Sequence, residues 1–434
     1  MQVRRSARNA TGTLVAALVL PALLPLAAQG RAGTATSRAS AAGTAPVAAP
    51  VAAPAPAAPA APTYHVYAGA ESADKIYRIR FDGRSAVVER EIPIGELPAE
   101  MEGPHGLAIS ADGRFLHMTT GHGFPDGKYW QFVLGPDTLA GPGILLGAFP
   151  ASIDATPDGR YTYSVNFNLH GDMVPSSVSV VHVANVAEVA RIVTCTMPHG
   201  SRVSPDGRFH YSACMMDDEL VEIDTRTQRV SRRFRLAREG EGALPADGGE
   251  MLQMWVDGAR RISNGRTGDP AEVGYAAMAG HQHAMTPATC SPTWAQPSAD
   301  SRRIYVACNK GDEILEIDRD TWTITRRFAT GRGRYNLGVT PDGTMLVASL
   351  KQGSQIELFD LASGRSVARL ASSTTLAHGV AVSTDSRYAF VTSEGVGAAP
   401  GKVDVIDLRA RAKVGTVDIG PQASGIAFWK VTPP

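Results

Sequence analysis

One short turn sequence recurs along the chain at a nearly constant spacing, and it constrains the fold more than any other feature. The turn has the form Ser/Thr-X-Asp-Gly/Ser and first occurs at residues 110–113. Its aspartates stand at positions 112, 158, 206, 300, 342 and 385, so most steps span about 42 to 48 residues. Asp followed by Gly favours a tight reversal with one residue at positive φ. The chain is therefore built from a repeated unit that starts with a hairpin.

Each unit continues with a strand of alternating apolar and polar residues that ends in Asp. This strand occurs at residues 220–224, 314–318, 356–360 and 403–407. Such alternation is typical of a half-buried strand, and the unit is long enough for four strands. A single four-stranded sheet cannot bury both of its faces, so the units must stack and close into a ring. The sequence therefore predicts an all-β fold, a β-propeller.

The two ends of the repeat predict how the ring closes. The C-terminus supplies a first strand only, at residues 423–429, whereas residues 64–67, 75–80 and 87–92 supply three strands without a first one. Together they complete one blade, shared between the N- and C-termini, which gives seven blades. The step from Asp206 to Asp300 spans 94 residues. We interpret residues 237–289 as an inserted loop, but residues 246–256 leave a degenerate eighth blade open.

The first 62 residues have a composition unlike the rest. Arg4 and Arg5 precede an apolar run from Thr13 to Ala28, which predicts a signal peptide over residues 1–28. Residues 29–62 are almost entirely small residues and proline, which predicts a disordered linker before the propeller at 63–434. We therefore expect a periplasmic or extracellular protein without a transmembrane segment in the mature chain.

The charge balance argues against one class of partner. The chain has 42 Lys and Arg against 42 Asp and Glu. Because this composition provides no basic field for a phosphate backbone, we expect no nucleic-acid partner.

The repeat resembles a known family of bacterial propellers. Residues 304–309, Ile-Tyr-Val-Ala-Cys-Asn, lie between an Asp turn and the strand Ile314–Asp318 and resemble the Tyr-Val-Thr-Asn (YVTN) type of repeat. That group is similar to the lactonase-type propellers and to those of nitrite and nitrous-oxide reductases. The resemblance indicates fold far more than function, because propellers support many activities.

Most histidines are predicted to lie on one rim of the ring. His105, His199 and His378 each precede Gly at the start of a first strand, and the loops between second and third strands share that rim. The expected set at the channel mouth is His105, His122, His170, His199, His281, His283 and His378. Imidazole is the commonest protein metal ligand, so this clustering predicts a metal site.

The nature of the metal is inferred from nearby methionines. Met173, Met197 and Met285 accompany the histidines, and imidazole with thioether suits copper. We therefore expect a copper site at the channel mouth, with redox chemistry as one outcome. Without a Cys-X-X-Cys-His motif, no covalent haem is expected.

Two alternatives remain open from the sequence. A lactonase-like hydrolase could use a polar pocket, for which the candidates are Arg332, Arg334, Asn336, Glu394, Asp217 and Asp218. A propeller without catalytic activity that binds a small molecule or a protein partner is the other alternative.

The four cysteines fall at equivalent positions of two repeats. Cys195 and Cys290 precede first strands, and Cys214 and Cys308 end the next strands. Antiparallel neighbours bring such positions together within one blade, so we expect the disulfides Cys195–Cys214 and Cys290–Cys308 in an exported protein. Four cysteines allow three connectivities, and free thiols with Cys214 as a copper ligand remain the alternative.

Overall fold

The computed structural model describes residues 61–96, 100–122, 127–274 and 287–434. The predicted signal peptide and nearly all of the predicted linker lie outside these ranges. Among the described residues, no helix is long and apolar enough to cross a membrane.

The described residues form thirty strands in seven antiparallel sheets, so the protein is a seven-bladed β-propeller, as predicted. The strands of the first three blades are β1 (Thr63–Ala70), β2 (Lys75–Phe81), β3 (Ala86–Pro93), β4 (Pro104–Ile109), β5 (Phe115–Thr120), β6 (Lys128–Val133), β7 (Thr138–Leu139), β8 (Ile144–Leu145), β9 (Pro150–Ala155), β10 (Tyr161–Asn166), β11 (Pro175–His182) and β12 (Ala187–Thr196).

Blades 4 to 7 follow in chain order. Their strands, with the last strand of the chain, are β13 (Pro198–Val203), β14 (Phe209–Cys214), β15 (Glu219–Asp224), β16 (Arg229–Arg235), β17 (Gly242–Leu244), β18 (Pro292–Pro297), β19 (Arg303–Cys308), β20 (Glu313–Asp318), β21 (Thr323–Ala329), β22 (Arg334–Val339), β23 (Met345–Leu350), β24 (Gln355–Asp360), β25 (Arg365–Ala371), β26 (Ala377–Val382), β27 (Tyr388–Ser393), β28 (Gly401–Asp407), β29 (Ala412–Ile419) and β30 (Ala423–Thr432).

Ring closure occurs through strand pairing between the two ends of the described chain. β30 pairs antiparallel with β1 and becomes the inner strand of blade 1, in the order β3-β2-β1-β30. This confirms the predicted shared blade. The inner strands β30, β4, β9, β13, β18, β22 and β26 then lie side by side around the central channel.

The core consists of separate apolar layers between neighbouring blades. At the junction of blades 7 and 1, for example, Phe81 packs edge-on against Tyr388 and Phe390, with ring centroids 5.1 and 6.4 Å apart. Comparable buried clusters fill the other junctions. Each blade buries its two faces only against its neighbours, which is why the closed ring is needed for stability.

The recurring Asp turns have one common geometry. In all six, the Ser or Thr hydroxyl donates to the carboxylate two residues later, at 2.5 to 2.7 Å. The fourth residue has a positive φ, which Gly adopts freely in four of these turns. Ser301 and Ser386 replace Gly there, with φ of 60° and 59°. Their hydroxyls accept hydrogen bonds from the backbone N–H groups of Asp206 and Asp342 in the preceding blade.

The described part of the insertion after blade 4 contains helices and no additional blade. It contains α1 (Gly249–Ile262) and the short α2 (Pro270–Val273). Trp255 and Ala259 of α1 are buried against Val174 of blade 3. The Ser177 hydroxyl donates to the buried Asp269 carboxylate at 2.5 Å. The alternative of an eighth blade over residues 246–256 is therefore wrong, because the buried residues of this stretch follow helical spacing.

Both predicted disulfides are present, Cys195–Cys214 and Cys290–Cys308. The expectation that each pair lies within one blade is correct only for the second pair. Cys195 belongs to β12, the outer strand of blade 3, and Cys214 to β14 of blade 4. The first disulfide therefore joins two blades. All four cysteines are buried, and the described residues contain no free cysteine, so Cys214 is not a free thiol.

The hydroxyl of Ser301 offsets the strain of its backbone, and two substitutions separate these effects. Ser301→Ala removes the bond from Asp206 and keeps the positive φ, so we expect a loss of about 1 kcal/mol in the free energy of unfolding. Ser301→Gly loses the same bond but relieves about 1 kcal/mol of strain, so it should stay close to the parent protein. Urea unfolding measures both, and equal stability of the two variants would contradict this account.

Candidate active site

Two sets of elements bring polar side chains to one mouth of the channel. The second residue of an inner strand supplies His105 on β4, His199 on β13, Tyr335 on β22 and His378 on β26. The loops from second to third strands supply Glu71, His122, His170, Lys351 and Glu394. The structure therefore brings together five of the seven predicted histidines, whereas His281 and His283 lie outside the described residues.

Packing requires the glycine that follows each of the three inner-strand histidines, His105, His199 and His378. A Cβ on Gly106 would lie 2.4 Å from the Ala151 carbonyl oxygen of the next inner strand. The corresponding distance is 2.2 Å from Gly200 to the Thr293 oxygen, and 2.5 Å from Gly379 to the Ser424 oxygen. These contacts are far too short for any side chain. The His-Gly pair therefore lets a backbone carbonyl of the neighbouring blade enter beside the imidazole.

These carbonyls orient the imidazoles. Nδ1 of His105 lies 3.0 Å from the Ala151 oxygen, and Nδ1 of His199 lies 2.8 Å from the Thr293 oxygen. A carbonyl only accepts, so each Nδ1 donates its hydrogen, and in the neutral imidazole Nε2 is then the acceptor atom. Metal-binding histidines are commonly held in this way.

Glu71, His105 and His378 form the densest donor cluster at the mouth. One carboxylate oxygen and one nitrogen from each imidazole lie within 4.8 Å of one another, and all three residues are buried. His105 Nε2 is 3.8 Å from Glu71 Oε1. Donors around a four-coordinate zinc or copper ion are about 3.4 Å apart, so small side-chain rotations would suffice. Two imidazoles and a carboxylate match a catalytic metal site with an open position.

Glu71 was not predicted as a site residue, although its position was accessible to the repeat argument. It lies in the β1–β2 loop of the shared blade, which corresponds to the loops that carry His122 and His170. His122 Nε2 is 2.9 Å from Glu71 Oε2, and the Gln422 amide donates to the same oxygen at 3.0 Å. His170 is exposed and continues this row, with its Nε2 3.4 Å from His122 Nδ1.

A second group of polar residues adjoins the cluster on blades 6 and 7. The Tyr335 hydroxyl donates to His199 Nε2 at 2.8 Å, so His199 is already paired. Lys351 forms an ion pair with Glu394 at 2.6 Å and lies 4.3 Å from the centre of the Tyr335 ring. Glu394 Oε1 is 3.7 Å from His378 Nε2, which connects the two groups.

Burial sets the protonation of these groups. It lowers the pKa of His199 to about 3 and that of His378 well below its ordinary value, so both are neutral ligands or acceptors. Burial raises the pKa of Glu394, which makes it a group that can exchange a proton. For Glu71, burial raises the pKa, but the interactions with His105 and His122 outweigh it and the pKa is lowered. Glu71 is therefore the anionic group of the cluster.

The methionines do not join this arrangement. Met197 is buried in the apolar layer between blades 3 and 4, Met173 is about half exposed (49%), and Met285 lies outside the described residues. The donor cluster at Glu71 is formed by one carboxylate and two imidazoles. The cluster thus offers nitrogen and oxygen donors.

Of the polar residues expected in a substrate pocket, Glu394 alone lies in the groups described above. Arg334 is fully buried and donates to the Cys308 and Gly331 carbonyls. Asp218 accepts the N–H groups of Thr289 and Ser291, both at 2.6 Å, where the chain re-enters blade 5. Asp217 accepts the Thr196 N–H, Arg332 is exposed and Asn336 lines the channel.

Comparison with known proteins supports the fold. No protein-family model matches the chain, so the resemblance to the YVTN family stays unconfirmed, and no curated protein matches its sequence. Among solved structures, it is similar to a periplasmic gluconolactonase from Pseudomonas aeruginosa, with a TM-score of 0.59 and 18% identity over 86% of this chain and 100% of that one. It is also similar to hydrazine synthase from Kuenenia stuttgartiensis, with a TM-score of 0.54 and 17% identity over 77% of this chain and 93% of that one.

The low pKa of His199 predicts acid sensitivity. The unfolded chain takes up a proton near pH 6.5, whereas the buried imidazole does so only near pH 3. The contribution of the neutral His199 imidazole to the free energy of unfolding is therefore complete above pH 6.5. It is lost as the pH falls, by about 2 kcal/mol at pH 5. His199→Asn should show a smaller loss of unfolding free energy between pH 7 and pH 5 in urea titrations. An unchanged loss would contradict this assignment.

Proposed function

We propose that this protein is an exported, metal-dependent hydrolase of small cyclic esters, with its active site at the His-bearing mouth of the channel. The observation that carries the proposal is the convergence of Glu71, His105 and His378 within 4.8 Å, beside a Glu whose pKa is raised. The two disulfides support the exported location, because such bonds persist in oxidising compartments. The fold shared with a periplasmic gluconolactonase supports the ester class.

The donor set bears on which ion would bind. Two imidazoles and one carboxylate suit zinc, iron or copper(II), whereas copper(I) favours the thioether donors that the cluster lacks. Copper, predicted from the sequence, remains a candidate as copper(II), which binds nitrogen and oxygen sites most tightly of the common divalent ions. Zinc is the ion that best fits ester hydrolysis with these donors. When bound, the ion would polarise the carbonyl of the ester.

The surrounding residues have distinct roles in this proposal. The Ala151 carbonyl orients the imidazole of His105 through Nδ1, and the Thr293 carbonyl orients that of His199 in the same way. Lys351 and Tyr335 lie on blade 6, next to His378, and would orient the ester oxygen atoms. Glu394 would transfer the proton between water and the leaving oxygen, since a raised pKa suits general acid–base catalysis.

Metal analysis of protein without a His tag tests the first part. We expect one ion per chain, lost in Glu71→Gln and in His378→Ala because each removes one of three donors. His182→Ala, which changes a histidine on the outer part of blade 3, is the matched control and should keep the ion. Competition between zinc and copper(II) then identifies the preferred ion. Unchanged stoichiometry in the two site variants would refute the cluster as the metal site.

Activity on a panel of aldonolactones tests the second part. Removing the ion with a chelator should abolish hydrolysis, and Glu394→Gln should lower kcat about 100-fold or more while the ion stays bound. A steady-state assay of ring opening measures both. Stoichiometric metal without hydrolysis of any lactone would reject the hydrolase and favour the redox or binding alternatives.

A further inference from the structure

The central channel contains a small cavity directly below the mouth, lined by apolar residues and a few polar ones. Its volume is about 20 Å³, which is room for one water molecule but not for a larger ligand. His105 and His378, two of the three residues of the donor cluster, line this cavity on one side. Trp294, Asn336 and Arg202 line it as well. Whatever occupies the cavity therefore contacts the same imidazoles that face Glu71.

Three buried polar atoms of residues that line this cavity lack a hydrogen-bond partner among the described residues. They are the Trp294 indole Nε1, the Asn336 side-chain oxygen Oδ1 and Nδ1 of His378. All three residues are more than nine-tenths buried, at 5%, 4% and 4% exposure. Nε1 only donates and Oδ1 only accepts, so their requirements are complementary, and a neutral imidazole nitrogen can take either part. A water molecule both donates and accepts, whereas an anion could not donate to Oδ1.

The walls keep the cavity at this size. A Cβ on Gly425 would lie 2.0 Å from the His105 carbonyl oxygen, and the Gly106 position is equally closed. Ile153 and Ile426 fill the remaining apolar wall. Arg202 lies above the Trp294 ring at 4.5 Å and interacts electrostatically with the half-buried Asp154. This local charge balance also favours a neutral occupant.

We propose that this cavity is a water subsite that supplies the attacking water from below while the cyclic ester binds from the mouth. This role rests on the proposed function. The water oxygen forms a bond to the ester carbonyl carbon, and the bond from that carbon to the ring oxygen breaks. One water proton passes to the ring oxygen, which becomes a hydroxyl, and the other leaves from the new carboxylic acid. The cavity admits water and excludes alcohols.

A crystal structure at a resolution that shows ordered water tests the subsite without any activity assay. We expect one density peak within hydrogen-bond distance of Trp294 Nε1 and Asn336 Oδ1. An empty cavity would overturn the proposal, and so would a halide, shown by an anomalous peak there in a bromide-soaked crystal.

Nucleophile selectivity tests the delivery of water. In aqueous methanol the parent protein should form hydroxy acid with little methyl ester. Ile153→Ala, or Ile153→Val if that variant fails to fold, should raise the ratio of methyl ester to acid several-fold by enlarging the cavity. Ile406→Ala, an equally buried truncation between blades 6 and 7, is the control and should leave the ratio unchanged.

The outcomes separate the two proposals. Hydrolysis with the same ratio in the parent and the Ile153 variants would overturn water delivery and leave the hydrolase intact. Absence of hydrolysis with every lactone would reject both the hydrolase and the delivery role, and the density at Trp294 and Asn336 would then decide the water subsite by itself.

Discussion

The rest of this structure depends on the close approach of one inner strand to the next. This approach occurs at the glycines that follow His105, His199 and His378. At Gly106, Gly200 and Gly379 a carbonyl oxygen of the neighbouring blade occupies the space where a side chain would be. This contact narrows the channel and sets the distance between blades. At His105 and His199 the same carbonyl accepts the imidazole N–H. One contact therefore both packs neighbouring blades together and orients the imidazoles of the site.

Ring closure is equally part of the site. His378 lies on blade 7 and His105 on blade 2, on either side of the shared blade that carries Glu71. Glu71 is tied to the C-terminal part of the chain, because its N–H donates to the Gln422 carbonyl at 3.0 Å and its carboxylate accepts from the Gln422 amide. The donor cluster therefore forms only when β1 and β30 pair. Folding and site assembly are the same event at this blade.

The mouth carries two adjoining polar groups. Blades 7, 1 and 2 contribute a buried carboxylate among imidazoles, and blades 6 and 7 contribute Lys351, Glu394 and Tyr335 in a paired network. Two such neighbouring groups suit a reaction in which one holds an electrophile and the other moves protons. The small cavity below the mouth provides a separate approach to these groups, and only the smallest reactant fits into it.

The sequence by itself determined the propeller and the shared blade, and it placed the five described histidines on one rim, because each follows from the period of the repeat. It also paired the cysteines correctly, but it placed both bonds within blades, whereas Cys195–Cys214 joins blades 3 and 4. Only the tertiary structure decided which of the rim residues lie close together. Glu71 lies 34 residues before His105 and 307 before His378, so no spacing motif could reveal the cluster. In the structure, Met173, Met197 and Arg334 lie outside the donor cluster. Packing between blades decides which rim residues face the channel, and the sequence pattern does not encode that packing. Residues 250–256 form part of a helix, not a strand of an eighth blade, for the same reason. The apolar face of this helix is buried against Val174, which is distant in the sequence.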